Sequence, residues 1–243
     1  MIWQRGQAPK LVAEIGLNHN GSVQLAKNTI DAAIGAGADF VKFQHCPPEQ
    51  FDSSGTHNGE SLFDLFKRTE FTFNQWIEIK EHCELVGIPF FVTTVSVEGV
   101  NDMHQLGVCA FKVSSDMINN AEMIQAMRKY PLMPVIVSTG HVRNLSDLLK
   151  IAWPEDLILH CISEYPTKHT KFWRMRAIQN MGYTCGYSNH IPGKDGIEAC
   201  IRATELGAVI IETHFTTSKE LSGPDHFFSF DPTDLKNLAE AIK

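Results

Sequence analysis

Apolar residues along this chain come in short bursts separated by longer stretches of mixed polarity, and the alternation is regular. Eight bursts rich in Val, Ile, Leu and Phe stand at Leu11–Leu17, Phe40–His45, Phe90–Val95, Ala110–Ser115, Pro134–Gly140, Leu157–Ser163, Thr184–His190 and Val209–Phe215. Each has the length and composition of a strand buried on both faces. Helical periodicity fills the gaps, most clearly in Ser22–Gly35, Asn74–Val86, Asn119–Lys129, Asn144–Ile151, Lys171–Met181, Gly196–Leu206 and Pro232–Ile242. Several of these open on a capping Ser, Asn or Asp and several are followed by Gly. Strand–helix alternation repeated eight times predicts an α/β protein, a single-domain (β/α)8 TIM barrel over residues 1–243, with a doubly wound open sheet as the competing architecture.

The bursts share a second regularity. At its C-terminal end each gives way to polar side chains: Glu14; Lys42 and Gln44; Thr93 and Thr94; Lys112 and Ser115; Ser138 and Thr139; His160 and Ser163; Ser188 and His190; Glu212 and His214. Barrel enzymes carry their chemistry at that end. A spacing of two puts Lys42 with Gln44, Ser188 with His190, and Glu212 with His214 on one side of their strands. Two lysines, Lys42 and Lys112, with hydroxyls from Thr93, Ser115, Ser138 and Ser188 suit a phosphate, although no Gly-rich phosphate loop is present. Glu14 lies inside the apolar run Ala13-Glu14-Ile15-Gly16, where a charge without a purpose is costly, so it reads as catalytic or substrate-binding. His190 and His214 end neighbouring strands. By spacing alone they read equally as ligands of Mn²⁺, Mg²⁺ or Co²⁺, helped by Glu14 or Asp225, and as acid/base or hydrogen-bonded core groups. The connection Cys46–Thr72, with Pro47-Pro48 and Ser53-Ser54-Gly55 in it, is long for a βα loop and is expected to be a lid or binding element.

Composition narrows the partners. The formal charge of -7 argues against a broad nucleic-acid surface, while a small anionic substrate held by a few convergent lysines stays open. No apolar stretch approaches the roughly 18 residues of a membrane span, and Met1–Lys10 lacks the apolar core of a signal peptide, so a cytoplasmic protein is expected. The six cysteines form no CxxC pair and read as reduced core residues.

Several segments together resemble the sialic acid synthase (N-acetylneuraminate synthase) family of phosphoenolpyruvate-condensing enzymes. They are Ala13–Gly21 (AEIGLNHNG), Gly37–Gln44 (GADFVKFQ), Pro134–Gly140 (PVIVSTG), Leu159–Thr167 (LHCISEYPT), Gly186–His190 (GYSNH), Glu212–Phe215 (ETHF) and Gly223–His226 (GPDH), so the likeness runs nearly end to end. The resemblance implies a barrel that holds phosphoenolpyruvate on Lys42, Thr93 or Thr94, Lys112, Ser115, Ser138 and Ser188, with Gln44 beside them. It implies a divalent metal, Mn²⁺ in the first place, on His190 and His214. It further implies that phosphoenolpyruvate condenses with an open-chain amino-sugar aldehyde, N-acetylmannosamine or a relative, to a nonulosonic acid, with Glu14 and Asp225 near the reacting carbons and Ser163 and Tyr165 on substrate hydroxyls.

This chain departs from the family pattern in two places. After the fourth strand the family reads Lys-Ile-x-Ser-Gly-Glu, whereas Lys112-Val113-Ser114-Ser115-Asp116-Met117 puts methionine at the glutamate position and an acid one residue earlier, with Asp116 as the candidate substitute. Most members also carry a C-terminal antifreeze-like domain whose arginine reaches the partner subunit's sugar, and the sequence ends at Lys243 without it. These departures raise three expectations: a separate antifreeze-like protein or a different sugar, a homo-oligomer left open, and closure of Cys46–Thr72 over the acceptor, with His57, Lys67 and Arg68 in or beside it. Two alternatives remain, a 3-deoxy-ulosonate synthase acting on a simple aldose and a non-catalytic barrel that binds sugar or phosphoenolpyruvate and scaffolds a partner synthase.

Overall fold

In the computed structural model, which describes residues 6–51, 55–57 and 59–243, all eight apolar bursts become staves of one sheet. They are β1 (Lys10–Gly16), β2 (Phe40–His45), β3 (Phe90–Thr94), β4 (Phe111–Val113), β5 (Val135–Ser138), β6 (Leu157–His160), β7 (Thr184–Asn189) and β8 (Ile210–His214). All pair in parallel, in chain order, and β8 returns to β1 in a register running from Lys10↔Ile210 to Glu14↔His214. A closed ring has no edge strand, which removes the doubly wound alternative. Most strands stop short of their apolar burst at the C-terminal end. Ser114 and Ser115, Thr139 and Gly140, and Cys161–Ser163 lie past the ladder, where the chain diverges to form the rim.

Nine α-helices are described: α1 (Val23–Gly35), α2 (Leu62–Thr69), α3 (Phe73–Val86), α4 (Val97–Leu106), α5 (Ala121–Arg128), α6 (Leu148–Ile151), α7 (Trp173–Asn180), α8 (Gly193–Glu205) and α9 (Pro232–Ile242). Capping fixes their starts. Ser22 Oγ accepts from Leu25 N–H, Ser96 Oγ from Gly99 N–H, and Thr72 with Gln75 completes a reciprocal box at α3. Two of the helices, α2 and α4, fall outside the segments of clear helical periodicity. The first lies inside the Cys46–Thr72 connection, which therefore carries structure of its own, including a short hairpin pairing Thr56–His57 with Glu60–Ser61. No helix among the described residues is long and apolar enough to cross a membrane.

Three apolar clusters divide the interior. The largest fills the space between sheet and helices. A second, including Val12, Phe40, Phe91, Ala110, Ile136 and Ile210, plugs the N-terminal half of the barrel. The strand period of two then dictates the layer above the plug. Two residues on from those six, on the same side of their strands, come Glu14, Lys42, Thr93, Lys112, Ser138 and Glu212. The apolar plug is thus a floor beneath a polar layer. The third cluster, Leu17, Leu65 and Phe66 with Cys46, Phe51 and Leu62, lies over the C-terminal end.

Candidate active site

A cavity of about 460 Å³ opens above the plug at the C-terminal end of the strands. At its base four buried charges interlock. Lys42 Nζ lies 2.8 Å from Glu14 Oε1 and 3.8 Å from Glu212 Oε2, and it donates to Thr93 Oγ1 at 3.1 Å. Lys112 Nζ donates to Glu212 Oε1 at 2.6 Å, and Ser188 Oγ donates to the same oxygen at 2.9 Å. Gln44 Nε2 donates to Glu14 Oε1 at 2.8 Å. The other oxygen of each glutamate is buried without a hydrogen-bond partner.

The two carboxylates respond differently to burial. Burial pushes both up. For Glu212 the attraction of Lys112 and Lys42, with hydrogen bonds from Lys112 and Ser188, overcomes it and holds the group at about 2. For Glu14 burial wins over Lys42, aided by repulsion from Glu212, and the pKa stays raised. The lysines split in the same way. Burial depresses both, but Glu14 and Glu212 together carry Lys42 above its ordinary value, whereas Lys112, beside Lys42, stays below its own. Glu212 is therefore the firm anion of the set, and Glu14 is the carboxyl that takes a proton most easily.

Two imidazoles occupy the neighbouring wall, with ring centroids 5.5 Å apart. His190 Nδ1 is 2.7 Å from the Ile162 carbonyl, which can only accept, so Nδ1 carries the proton and Nε2 keeps its lone pair. His214 Nδ1 has no hydrogen-bond partner and lies 3.5 Å from Asp225 Oδ2. Burial drives His190 down to about 4, and burial together with His190 drives His214 well down, so both rings are neutral near pH 7. Neutral rings, one of them oriented by a backbone carbonyl, fit the donor chemistry of a divalent ion. Among the described residues no group of three or more His, Cys, Asp or Glu side chains is gathered to hold a metal, so the fit is that of a two-imidazole site. Tyr165 lies against both rings, with centroids 4.2 Å from His190 and 5.9 Å from His214.

The structure brings together most of the residues singled out in the sequence. Glu14, Lys42, Gln44, Thr93, Lys112, Ser115, Asp116, Ser138, Tyr165, Ser188, His190, His214 and Asp225 all line the cavity. Two others are not brought in. Thr94 points to the opposite face of β3 from Thr93, where its Oγ1 lies 2.1 Å from the position a Cβ on Gly99 would take, so it packs beneath α4. Ser163 is outside the lining, with its Oγ against Gly140, 2.0 Å from where a Cβ would be. That approach, together with the bond from Gly140 N–H to Ser115 Oγ at 3.0 Å, requires glycine at position 140. Asp116 and Met117 both border the cavity, Asp116 as an exposed rim carboxylate 3.1 Å from His141 Nδ1.

The long connection also differs from expectation. Its contribution to the cavity is apolar: Cys46, Phe51, Leu62, Leu65 and Phe66. Lys67 and Arg68 are on the solvent face of α2, Lys67 over the Phe63 ring and Arg68 in a two-pronged pair with Glu60, because the helical period turns them away from the buried Leu65 and Phe66. Ser53, Ser54 and the side chain of His57 lie outside the described residues. Glu212 is the functional residue that the sequence pairs with His214 by spacing without marking it as catalytic or binding; its place two residues past the plug residue Ile210 is the available signal.

The family match and three of the relatives agree on one group. A family model described as the NeuB family matches residues 29–243. The chain is 31% identical to N,N'-diacetyllegionaminic acid synthase of Campylobacter jejuni, covering 96% of this chain and 75% of that protein. It is 30% identical to N-acetylneuraminate-9-phosphate synthase of Homo sapiens, covering 99% and 71%. Among solved structures it superposes on the N-acetylneuraminic acid synthetase of Leptospira borgpetersenii, determined with citrate, at a TM-score of 0.85 and 31% identity, covering 97% and 83% of the two chains.

Proposed function

The chain belongs to the NeuB family, and on that premise we propose that it is a phosphoenolpyruvate-dependent synthase that condenses an open-chain sugar aldehyde to a nonulosonic acid and releases phosphate. The observation that carries this reading is the convergence of Lys42 and Lys112, each already ion-paired, with the hydroxyls of Thr93, Ser115, Ser138 and Ser188 in one cavity floored by apolar side chains. Two ammonium groups and several hydroxyl donors suit a phosphate and a carboxylate on one small molecule. The enol carbon C3 attacks the aldehyde carbon, positive charge develops at C2, water adds there, and collapse of the adduct breaks the C2–O bond to phosphate. Glu212, ionised and held by hydrogen bonds from Lys112 and Ser188 with Lys42 3.8 Å away, is suited to stabilising the positive charge. Glu14, with its raised pKa, is suited to exchanging a proton with the added water.

His190 and His214 are the residues that would hold a divalent ion, manganese in the first place, whose Lewis acidity would polarise the aldehyde oxygen. Asp225, 3.5 Å from His214, and the rim residue Tyr165 would then face the acceptor.

Phosphate release from phosphoenolpyruvate tests the reading, measured with Mn²⁺ present and a panel of amino-sugar and plain aldoses. Release that depends on an amino sugar is the expected result. Release with plain aldoses alone would point to a 3-deoxy-ulosonate synthase, and silence with every sugar would leave only a binding or scaffolding barrel.

A further inference from the structure

Free positive charge is concentrated in one sector of the cavity rim. Most lysines and arginines of the described residues are ion-paired. Arg143, Lys168, Lys171, Arg174 and Arg176 have no ion pair, and all five lie on the connections that follow the neighbouring strands β5 and β6 or in the first turn of α7. All but Arg174 are exposed. Arg174 Nη2 donates to the Val142 carbonyl at 2.6 Å and so ties the two connections together. The same connections reach the cavity: Cys161 and Tyr165 line it, and His141, two residues before Arg143, lies 3.1 Å from the lining residue Asp116. Nearby carboxylates are engaged elsewhere, Glu164 with Thr167 Oγ1 at 2.8 Å and Asp147 with Lys150 at 2.9 Å. Across the ring, the chain that follows β2 carries exposed Glu49, Asp64 and Glu70, and there Arg68 is paired with Glu60 while Lys67 lies over Phe63.

We infer that this basic sector is an electrostatic guide that draws phosphoenolpyruvate to the cavity mouth. This rests on the condensation reading and adds to it the route by which the anionic substrate arrives. Phosphoenolpyruvate carries a carboxylate and a phosphate, between about 2.5 and 3 negative charges near pH 7. A chain of formal charge -7, with Asp116 and Asp225 on the rim, repels such an ion at a distance. Lys42 and Lys112 cannot offset this from afar, because both are buried and each is already paired with a glutamate. Unpaired cations facing water are different: their field extends over roughly a Debye length, about 8 Å at physiological ionic strength and about 30 Å at 0.01 M. Capture and binding therefore belong to separate sets of cations, one on the rim and one at the base.

The test is kcat/KM for phosphoenolpyruvate, measured with Mn²⁺ and the sugar that supports phosphate release, as ionic strength rises from about 10 to about 500 mM. One variant combines Arg143→Gln, Lys168→Gln, Lys171→Gln and Arg176→Gln. A second removes the same net charge outside the sector, through Lys80→Gln, Lys129→Gln, Arg202→Gln and Lys236→Gln on α3, the end of α5, α8 and α9. The sector variant should lose about tenfold in kcat/KM at the lowest ionic strength and less than about twofold at the highest, with kcat within about twofold of the parent throughout. The second variant should stay within about threefold of the parent at every ionic strength. Equal losses in the two variants would assign the effect to net charge, and a sector variant that tracks the parent would leave the sector without a part in capture; either result overturns the inference. A loss that persists undiminished in high salt would also overturn it, by making these cations contacts instead of a guide. No phosphate release with any sugar, joined to no phosphoenolpyruvate binding by the parent in calorimetry at either ionic strength, would bring down the condensation reading itself and the inference with it.

Discussion

The two ends of this barrel are built from similar materials and put to opposite uses. Each has a cavity of comparable size, about 460 Å³ at the C-terminal end and about 470 Å³ at the N-terminal end, and each holds a buried ion pair. At the N-terminal end Arg128 grips Asp156 with both guanidinium arms, one at 2.6 Å, while Trp153 N–H donates to Asp156 at 2.8 Å and the Trp153 ring lies 4.4 Å from the guanidinium carbon. In that pair Arg128 Nε alone is left buried without a hydrogen bond. At the C-terminal end the pairs are left incomplete: Glu14 Oε2, Glu212 Oε2 and His214 Nδ1 are buried without hydrogen bonds. A buried polar atom left unpaired is costly, and such atoms gather where a ligand completes the set. The more nearly satisfied pair is structural, and the incomplete cluster, with both of its carboxylates unfinished, holds binding capacity at the expense of stability.

Metal binding separates the two ends most strongly. If the imidazole pair is an unfinished ligand set, His190→Ala combined with His214→Ala should remove Mn²⁺ binding altogether in titration calorimetry. Each single change should weaken it at least about tenfold, since the loss of even an outer partner of a metal ligand costs that much. Unchanged affinity would make the pair a hydrogen-bonded wall, as structural as the Arg128–Asp156 pair at the other end.

Next in size is Arg128→Ala. It leaves Asp156, 1% exposed, as a buried carboxylate without its cation, and chemical denaturation should show a loss of about 3–5 kcal/mol. The KM for phosphoenolpyruvate should not move, because none of these groups borders the upper cavity. Lys112→Ala should do the reverse. Glu212 keeps Lys42 and Ser188, so the stability loss should be smaller than for Arg128→Ala, while phosphoenolpyruvate binding should weaken by roughly 1.5–3 kcal/mol, the worth of a charge-assisted contact. A stability loss matching that of Arg128→Ala with unaltered binding would show that the upper cluster is structural too.

Legibility in the sequence divides along the same line. The eight strands are readable because a parallel strand buried on both faces leaves a dense apolar run, and the base of the site is readable because polar residues interrupt those runs at fixed places. Thr93 and Thr94 cannot be told apart without the register that points one inward. Ser163 groups with the site in the sequence because the run Leu157–Ser163 overshoots β6, and nothing local marks where the ladder stops. The apolar wall is out of reach for a different reason: Phe51, Leu62, Leu65 and Phe66 come from a connection whose irregular start hides the helical face of α2, and they meet Leu17 only through the closed barrel.

The smallest effect lies at the N-terminal end and is visible as a pH profile. Asp39, just before β2, accepts from Leu11 N–H at 2.8 Å and pairs with Lys10 at 3.2 Å and Lys243 at 2.8 Å, tying the starts of two strands to the end of the chain. Burial pushes this carboxyl up, but the Lys243 contact, the Leu11 N–H and Lys10 outweigh it and hold the group below its ordinary value of 3.8. A depressed carboxyl favours the fold only while ionised in the folded state. Its contribution is therefore full above the ordinary value and is lost as pH falls through the lower, folded-state value. The lysines are partly exposed, so Asp39→Asn should cost no more than about 1 kcal/mol near pH 7. The gap between parent and variant should hold at that size from pH 7 to about 5 and close only in strong acid, below the ordinary aspartate value. Denaturation midpoints at stepped pH would read it, and a gap that stayed open below that value would assign the stabilisation to the Leu11 hydrogen bond instead of the charge.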